Sequence, residues 1–427
     1  MKYFLLFTLL FLSSSADINL IKKENSDSNT TLLVIGGIHG DEPGGYFAAS
    51  ILATHYTINS KNLWIVPNLN KNSIIRNRRG INGDMNRKFS SLRKNDKDRN
   101  IVQEIKKTIL EPNVSLVLNL HDGHGFYRKK HQGTVFNPNA WGQTCVIDQG
   151  KLQKSQEFGN LNEIACIVKD NLNKKLLENH HTFDVKNTKT KFDDEDMQLS
   201  LTYYAVTNNK PAFAIESSKN LSSLSQKVFY QLLAIEEFMK IMDINFTRSF
   251  KLSEKGISKV IKEYGVLILN NNTSFDLSNV KKRLSYIPIK LKNNIFRFTH
   301  PLGKIRKING TYNAYIGHKK VISLKPQYFN MAKNCPDKFE VLIDGKSILV
   351  NKASYFQVND DFTISKTDDI RVNVIGFQAK GKVDESQIKI SLRDVNKKFS
   401  IDKNKKIYRI EFYKNDKFCS MSMVQFK

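Results

Sequence analysis

The chain has 427 residues, a formal net charge of +26 and 40% hydrophobic residues. At roughly 150 residues per domain, this length predicts two or three domains, each large enough to bury its own core. The excess of Lys and Arg is spread along the chain, which favours an acidic polymer or an anionic membrane surface over nucleic acid as the partner. An AT-rich genome would give the same abundance of Lys and Asn, so the charge alone does not identify the partner.

The first residues, MKYFLLFTLLFLSSSAD, have the layout of a cleavable secretory signal. A lysine precedes an apolar stretch of about ten residues, and small residues follow it, so we expect a signal peptide over 1–16 that is cleaved after Ala16. The apolar stretch is shorter than the ~20 residues that span a bilayer, and no later segment is comparably apolar. We therefore expect an exported chain with no stable membrane anchor.

The four cysteines are Cys145, Cys166, Cys335 and Cys419. They show no Cys-x-x-Cys spacing, which argues against a zinc ribbon. Export allows one disulfide in each half of the chain, and unpaired buried cysteines fit the sequence equally well.

From Thr31 to about Phe238, short apolar runs alternate with amphipathic segments. The runs that predict buried strands are TLLVIGG, NLWIVPNLN, VSLVLNLHDG and PAFAIESS. The segments with apolar residues at helical spacing are PGGYFAASILATHY, DRNIVQEIKKTIL, EFGNLNEIACIVKDNLNKKLLENH and LSQKVFYQLLAIEEFMKIM. This alternation predicts an α/β domain over 17–244, with a mostly parallel or mixed sheet flanked by helices. Ligands of such sheets bind beyond the carboxyl ends of the strands.

After about Asn245, short strands with turn signals every ten or so residues replace the helices. An Asp-Gly pair at Asp344 and Gly345 predicts a tight hairpin. The length suits two small all-β domains, 245–335 and 336–427, and we expect the second to be an Ig-like sandwich.

The stretch LLVIGGIHGDEPGG, residues 32–45, combines glycines with His39 and Glu42 just after a predicted strand. It lacks the Gly-Lys-Ser/Thr ending of a phosphate loop and the spacing of a dinucleotide fingerprint. At i and i+3, the imidazole and the carboxylate can converge on one point. Catalytic zinc takes three protein ligands of this kind, so the sequence predicts a third.

His121 in LVLNLHDGHG is the candidate for that third ligand, because it ends a neighbouring predicted strand at the same sheet edge. His124 lies further into a glycine-rich loop, where its position is less determined, and we interpret it as a loop residue. The histidines without such a placement, which we interpret as surface or core residues, are His55, His131, His180 and His181.

Two more elements carry polar chemistry. The loop RNRRGINGDMNRKF, residues 76–89, contains arginines whose planar guanidinium groups can bind a carboxylate at two points. Taken alone, we would interpret it as a solvated basic loop. Glu216 ends the apolar run PAFAIESS, where a buried carboxylate is unfavourable unless it is paired or catalytic. Near a metal, such a carboxylate suits a general base.

The chain contains four elements in this order: HxxE, an Arg followed by Asn-Arg, a strand ending in His and a strand ending in Glu. This order resembles the zinc carboxypeptidase family of the carboxypeptidase A type, over about residues 30–240. The resemblance implies that one Zn²⁺ is held by His39, Glu42 and His121. It implies that Arg79 polarises the scissile carbonyl and Glu216 activates the attacking water. It further implies that the substrate is bound by Asn86, Arg87 and Thr202, the first two at its terminal carboxylate.

The layout of the whole chain resembles the cell-shape carboxypeptidases of helical and curved Gram-negative bacteria. This resemblance implies a periplasmic enzyme whose partner is the peptidoglycan tripeptide stem. Such enzymes remove meso-diaminopimelate from the uncrosslinked tripeptide and leave the L-Ala-D-Glu dipeptide. Some members of the subgroup carry Gln at the position of His39, so the ligand set here is nearer to that of the wider family.

Two other functions remain open at this point. Deacylases of the succinylglutamate desuccinylase and aspartoacylase type share the HxxE and Asn-Arg pattern, but they act on small cytoplasmic metabolites and lack the export signal. A wall-binding scaffold without activity would not need all the ligand residues, which are intact here. The sequence indicates no oligomeric state.

Two weaker hypotheses concern single sites. Asn29 and Asn245 lie in acidic sequons, DSNTT and DINFT, that match those used for bacterial N-glycosylation. The stretch FNPNAWGQ, residues 136–143, offers a Trp with neighbouring amides, which suits either the wall of a pocket for a polar peptide or an exposed loop.

Overall fold

A computed structural model of the protein describes residues 18–25 and 28–427. The predicted signal peptide, 1–16, therefore lies outside the described residues. The chain divides into two compact units, Met1–Ser258 and Lys259–Lys427. The division falls after the predicted domain end at Ile244, because the strand Phe246–Arg248 pairs with Tyr56–Ile58 of the first unit.

The first unit alternates strands and helices, and its last helix crosses the division. Its strands are β1 (Ile21–Lys23), β2 (Thr31–Gly36), β3 (Tyr56–Ile58), β4 (Asn62–Val66), β5 (Val114–Gly123), β6 (Phe126–Tyr127), β7 (Phe136–Asn137), β8 (Thr144–Ile147), β9 (Asp184–Asn187), β10 (Ala212–Ser218) and β11 (Phe246–Arg248). Its helices are α1 (Pro43–His55), α2 (Lys71–Ile74), α3 (Arg99–Leu110), α4 (Leu161–Asn173), α5 (Thr190–Asp193), α6 (Leu201–Thr207), α7 (Leu224–Ile241) and α8 (Glu254–Val260).

Seven strands of this unit form one sheet in the order β1-β4-β2-β5-β10-β8-β9. The central pairs β4-β2, β2-β5 and β5-β10 are parallel, whereas β1 and β8 run antiparallel to their neighbours β4 and β10. The helices α1, α4 and α7 pack together and against the sheet, and α3 and α6 pack on its central strands. The predicted mixed α/β sheet flanked by helices is confirmed.

The central strands are uniformly apolar because they are covered on both faces, as parallel strands usually are. Every residue of β2 is buried, and so is every residue of β4. The strand β8 and the edge strand β9 were not predicted, because four-residue strands flanked by loops leave little periodic signal.

The strand register brings the polar ends of the central strands to one edge. On the parallel pair β5 and β10, His121 lies directly opposite Glu216. On the neighbouring strand β2, the last residue, Gly36, pairs with Leu120, one residue before His121. The segment that follows β2 therefore begins beside His121 and Glu216.

The second unit contains only strands and one short 3-10 helix beyond the end of α8. Its strands are β12 (Val266–Leu269), β13 (Thr273–Asp276), β14 (Arg283–Ile289), β15 (Phe296–Phe298), β16 (Gly303–Ile308), β17 (Thr311–Ile316), β18 (Lys319–Tyr328), β19 (Lys338–Ile343), β20 (Lys346–Asn351), β21 (Tyr355–Val358), β22 (Asp361–Ile364), β23 (Ile370–Val374), β24 (Ile390–Ser391), β25 (Ile407–Lys414) and β26 (Lys417–Phe426). They form a seven-stranded sheet, β15-β12-β13-β26-β25-β23 with β21 also paired to β26, and two four-stranded sheets, β14-β18-β17-β16 and β20-β19-β22-β24.

The seven-stranded sheet takes β12, β13 and β15 from before the predicted boundary at 335 and the other four strands from after it. A disulfide also joins Cys335 to Cys419. Both the sheet and the disulfide join residues on the two sides of the predicted boundary. The division into 245–335 and 336–427 therefore stays a prediction. The hairpin at Asp344 and Gly345 is confirmed: both residues have positive φ, 48° and 80°, as a type I′ turn between β19 and β20 requires.

The remaining cysteines, Cys145 and Cys166, are free, so the disulfide occurs in the second half of the chain alone. Asn29 and Asn245 are exposed, and their glycosylation remains a prediction. In the part of the chain that the structure describes, every helix is too short or too polar to cross a bilayer.

Candidate active site

Two histidines and one carboxylate converge at the carboxyl edge of the first sheet. His39 follows β2, His121 lies near the end of β5, and Glu42 is the N-cap residue of α1, which Pro43 begins. His39 Nδ1 lies 2.9 Å from Glu42 Oε1, and His121 Nδ1 lies 2.8 Å from Glu42 Oε2. All three side chains are buried, with at most 4% of their surface exposed.

The turn that carries His39 depends on glycine. At Gly37 the backbone turns with a φ of +75°, in the left-handed region that glycine adopts without strain. A Cβ at Gly40 would lie 2.1 Å from the carbonyl carbon of Ser73, so the chain can pass there only as glycine. The glycines of this stretch therefore allow a close approach of two backbone segments.

The three converging groups fit a metal ion. One ligand atom from each of His39, Glu42 and His121 lies within 4.8 Å of the other two. Two imidazoles and one carboxylate are a ligand set of catalytic zinc sites. Burying these polar atoms against one another would be unfavourable without a cation or a proton between them.

The charged groups of this cluster shift one another's pKa values. Burial alone would raise the pKa of Glu42, but the charges of His39 and His121 hold it well below its usual range. Burial lowers the pKa of His39, yet Glu42 and Asp84 outweigh it and raise the pKa to about 9. Burial lowers the pKa of His121, which favours the neutral imidazole that binds metals.

Asp84 joins this cluster to Arg79. Its Oδ1 lies 2.8 Å from His39 Nε2, and its Oδ2 accepts from Arg79 Nε at 2.9 Å. Arg79 also donates to Glu42 Oε1 at 3.2 Å. Burial opposes ionisation of Asp84, but its hydrogen bond and charge interaction with His39 and the charge of Arg79 hold its pKa well below the usual range. Asp84 is therefore ionised and fixes the orientation of the His39 ring.

Glu216 stands opposite His121 on the adjacent strand and is partly accessible from the pocket. Burial raises its pKa well above the usual range, and the charge of Glu42 raises it further. A carboxyl group with a raised pKa binds a proton more readily than an ordinary carboxylate, which suits a general base that later acts as an acid.

Asn86 and Arg87 lie on a 3-10 helix, Met85–Arg87, that the Asp84 side chain caps by accepting from Asn86 N at 2.9 Å. Asn86 Oδ1 accepts from Leu201 N at 3.0 Å, which ties this turn to the start of α6. Thr202 lies in the first turn of α6, beside the capping residue Ser200.

These residues surround one cavity of about 400 Å³. It is lined by His39, Glu42, Arg79, Asn86, Arg87, His121, Asp122, Gly123, His124, Trp141, Val146, Met197, Thr202, Ala214, Glu216 and Lys219. All eight residues predicted for the site lie among them, and their individual roles remain predictions.

Eight lining residues had no assigned role or only an open one, and three of them are His124, Trp141 and Lys219. His124, interpreted as a loop residue, lines the cavity together with Trp141. Lys219 lies 3.1 Å from Asp41 and 3.8 Å from Glu42. Its position three residues after Glu216, at the same strand end, is the signal that could have identified it. Of the other histidines, His181 is buried with Nδ1 2.9 Å from Tyr230 Oη, and His180 is half-exposed.

Comparisons with known proteins agree with this geometry. Residues 2–262 match the model of a protein family described as the catalytic domain of the carboxypeptidase controlling helical cell shape. Residues 332–427 match the model for the C-terminal domain of a metallo-carboxypeptidase. A search of curated protein sequences gives no match.

Several solved structures of the cell shape determinant protein Csd4 from Helicobacter pylori are similar to the chain over almost its whole length. The apo form has 35% sequence identity and a TM-score of 0.90, and the match covers 96% of this chain and 100% of that chain. The mDAP-bound form of Csd4, described as a D,L-carboxypeptidase, matches with a TM-score of 0.90, 35% identity and coverage of 95% and 100%. The tripeptide-bound form matches with a TM-score of 0.89, 35% identity and coverage of 96% and 100%.

The family model covers more than half of the chain, and the Csd4 structures match both of its units. The converging histidines and carboxylate, the arginine-rich turn and the opposed glutamate lie in the part that the catalytic model covers. The chain belongs to the family of metallo-carboxypeptidases that control helical cell shape.

Proposed function

We propose that the protein is a periplasmic, zinc-dependent D,L-carboxypeptidase that removes meso-diaminopimelate from the uncrosslinked peptidoglycan tripeptide. The observation that carries the proposal is the 35% identity to Csd4, structures of which hold mDAP or a tripeptide and match over 95% and 96% of this chain, respectively. Removing diaminopimelate from free tripeptide stems leaves dipeptides, and the family's control of cell shape links this trimming to the curvature of the wall.

One zinc ion would be held by His39, Glu42 and His121. When bound, zinc supplies a Lewis acid that polarises a carbonyl and lowers the pKa of water. Asp84 accepts a hydrogen bond from His39 Nε2, which keeps Nδ1 free for the metal. Membership of the family implies a metal, and the two imidazoles with one carboxylate favour zinc over a hard cation such as Mg²⁺.

Recognition of the substrate uses the cations of the pocket. The Arg87 guanidinium and the Asn86 amide bind the terminal carboxylate, because a guanidinium can donate two parallel hydrogen bonds to it. Arg79, held by Asp84 and Glu42, donates to the carbonyl oxygen as negative charge develops there. Thr202, at the pocket wall, contacts the diaminopimelate portion.

Proton transfer is the role of Glu216. Its carboxylate takes a proton from the attacking water and delivers it to the amine of the leaving diaminopimelate. Its raised pKa suits the first step, because a more basic carboxylate takes a proton from water more readily. His121, which would hold the metal, lies opposite this base in the strand register.

The decisive experiment incubates the mature protein and zinc with muropeptide tripeptides and identifies the products by mass spectrometry. We expect dipeptide and free diaminopimelate from the wild type, and a loss of rate of at least about 10³-fold in Glu216→Gln with zinc content unchanged. Glu111→Gln, which changes an exposed carboxylate, is the matched control.

Three results would overturn the proposal. They are tripeptide left intact by the wild type, Glu216→Gln as active as the wild type, and cleavage of N-acyl amino acids without cleavage of tripeptide. The last result would favour the deacylase alternative, since those enzymes share the ligand pattern.

A further inference from the structure

Trp141 lines the pocket that Glu216 and Val146 also line. Its backbone is held at both ends: Trp141 N donates to the His124 carbonyl oxygen at 2.9 Å, and Thr144 Oγ1 donates to the Trp141 carbonyl oxygen at 2.5 Å. These bonds fix the main chain but leave the orientation of the indole to its side-chain neighbours.

Lys186 supplies the side-chain contact. It lies on the edge strand β9, directly opposite Val146 on β8, and its Nζ lies 4.0 Å from the centre of the Trp141 ring. The same Nζ lies 4.9 Å from the ring centre of Tyr127, so the ammonium contacts two aromatic rings. A cation is attracted to the face of an aromatic ring, most strongly for tryptophan.

Lys186 also fixes the loop that leads into Trp141. Its Nζ donates to the carbonyl oxygens of Pro138 and Ala140, at 3.2 Å and 3.0 Å. Two of the three N–H groups of the ammonium are thus used on the residues just before the tryptophan. One side chain therefore holds both the backbone of the loop and the ring that the loop presents.

We propose that Lys186 is a positioning residue, which fixes the Trp141 wall and thereby the fit of the substrate in the pocket. Lys186 does not line the cavity, so it acts through Trp141 and not by contact with the substrate. The kinetic consequence rests on the proposed function, whereas the effect on the tryptophan does not.

The alternative is that Lys186 acts on Glu216 and not on the Trp141 wall. Burial lowers the pKa of Lys186, and the charge of Glu216 opposes that shift, so the two groups interact electrostatically. A role through Glu216 would change kcat, because proton transfer occurs in the chemical step. A role through the wall changes KM instead, because it alters binding while the reacting groups stay in place.

The test uses the zinc-loaded mature chain and the variants Lys186→Met and Lys186→Arg. Methionine keeps the length of the side chain but removes the charge and the donors, whereas arginine keeps both and stacks on aromatic rings. Lys129→Met is the matched control. Lys129 is 72% exposed and forms an ion pair with Asp184, which lies on the same strand as Lys186. The chain has two tryptophans, so a Trp64→Phe background reports on Trp141 alone.

We expect Lys186→Met to raise KM for the tripeptide by about 3- to 10-fold with kcat changed less than about twofold, as for the loss of a contact of modest strength. In the absence of substrate, acrylamide quenching of Trp141 fluorescence should increase. Lys186→Arg should restore most of both properties, and Lys129→Met should match the wild type.

Two outcomes overturn the proposal. One is Trp141 quenching in Lys186→Met equal to that of the wild type. The other is a fall in kcat with KM unchanged, which would assign Lys186 to Glu216. If no variant, including the wild type, cleaves tripeptide, the proposed function fails, and the quenching measurement still decides whether Lys186 positions Trp141.

Discussion

His39 Nε2 lies 2.8 Å from Asp84 Oδ1, and the other oxygen of the same carboxylate accepts from Arg79 Nε at 2.9 Å. One side chain thus orients a proposed metal ligand and the arginine proposed to polarise the carbonyl. Carboxylates that accept from the second nitrogen of a ligating histidine fix its tautomer and raise its basicity. We therefore expect Asp84 to affect both the metal affinity and the position of Arg79.

Replacing Asp84 with Asn should weaken zinc binding about 10- to 100-fold, because the amide is a poorer acceptor for His39 Nε2–H and removes one of the two carboxylates that hold Arg79. Competition with a chelator measures the affinity. Asp96→Asn is the control. Asp96 lies further along the same connection between strands, and its contact is with Lys88 and not with His39. An unchanged zinc affinity in Asp84→Asn would show that the His39 ring is fixed by other contacts.

The role proposed for Arg87 can be tested by changing the arginine and by changing the terminal carboxylate of the substrate. Replacing Arg87 with Met should raise KM for the tripeptide about 10- to 100-fold, the loss expected for hydrogen bonds to a charged group. The wild type should discriminate by a similar factor against a tripeptide whose terminal carboxylate is amidated. The variant should lose that discrimination, because the group that reads the carboxylate is gone. A variant that still distinguishes the two substrates would exclude Arg87 as the carboxylate partner.

Gly142 follows Trp141 at a place where no side chain fits. A Cβ there would lie 2.1 Å from the Gly125 carbonyl oxygen and 2.7 Å from Ser218 Cα. Gly142→Ala should therefore lower the free energy of unfolding of the first unit by about 1–3 kcal/mol, as overpacked sites do. Calorimetric melting should show the change. Gly150→Ala, where the nearest atom would be 3.8 Å away, should melt like the wild type.

Asp148 predicts a dependence of stability on pH. It is buried, and burial raises its pKa to about 6, although Thr190 and Thr202 donate hydrogen bonds to it. Between pH 7 and pH 5 the folded state takes up a proton that the unfolded state, with a pKa near 3.9, does not. This group should therefore add about 1 kcal/mol to the free energy of unfolding on going from pH 7 to pH 5.

Asp148→Asn should remove that gain, because the amide does not titrate. Melting temperatures of wild type and variant at pH 7 and pH 5 measure the difference, with the exposed Asp193→Asn as the control. A wild type and an Asp148→Asn variant with the same pH dependence would place the pKa of Asp148 near its ordinary value.

The residues proposed to carry the chemistry were visible in the sequence because they interrupt simple patterns. Glu216 and His121 are polar residues at the ends of apolar strands, and parallel strands bring such ends to one edge. His39 and Glu42 follow the same rule at the end of β2. Asp84 was not assigned a role, because an acidic residue in a basic loop has many partners in principle, and its contact with His39 spans 45 positions of the chain.

The sequence by itself determined the four central strands of the first unit, its four longest helices, the polar residues at the strand ends and the Asp344–Gly345 turn. These features follow from local periodicity and from backbone preferences of single residues. The tertiary structure alone decided that Glu216 faces His121, that Asp84 joins His39 to Arg79 and that Lys186 packs on Trp141. Such pairings depend on strand register and on loop paths between residues far apart in sequence, and they are settled by the packing of the whole unit.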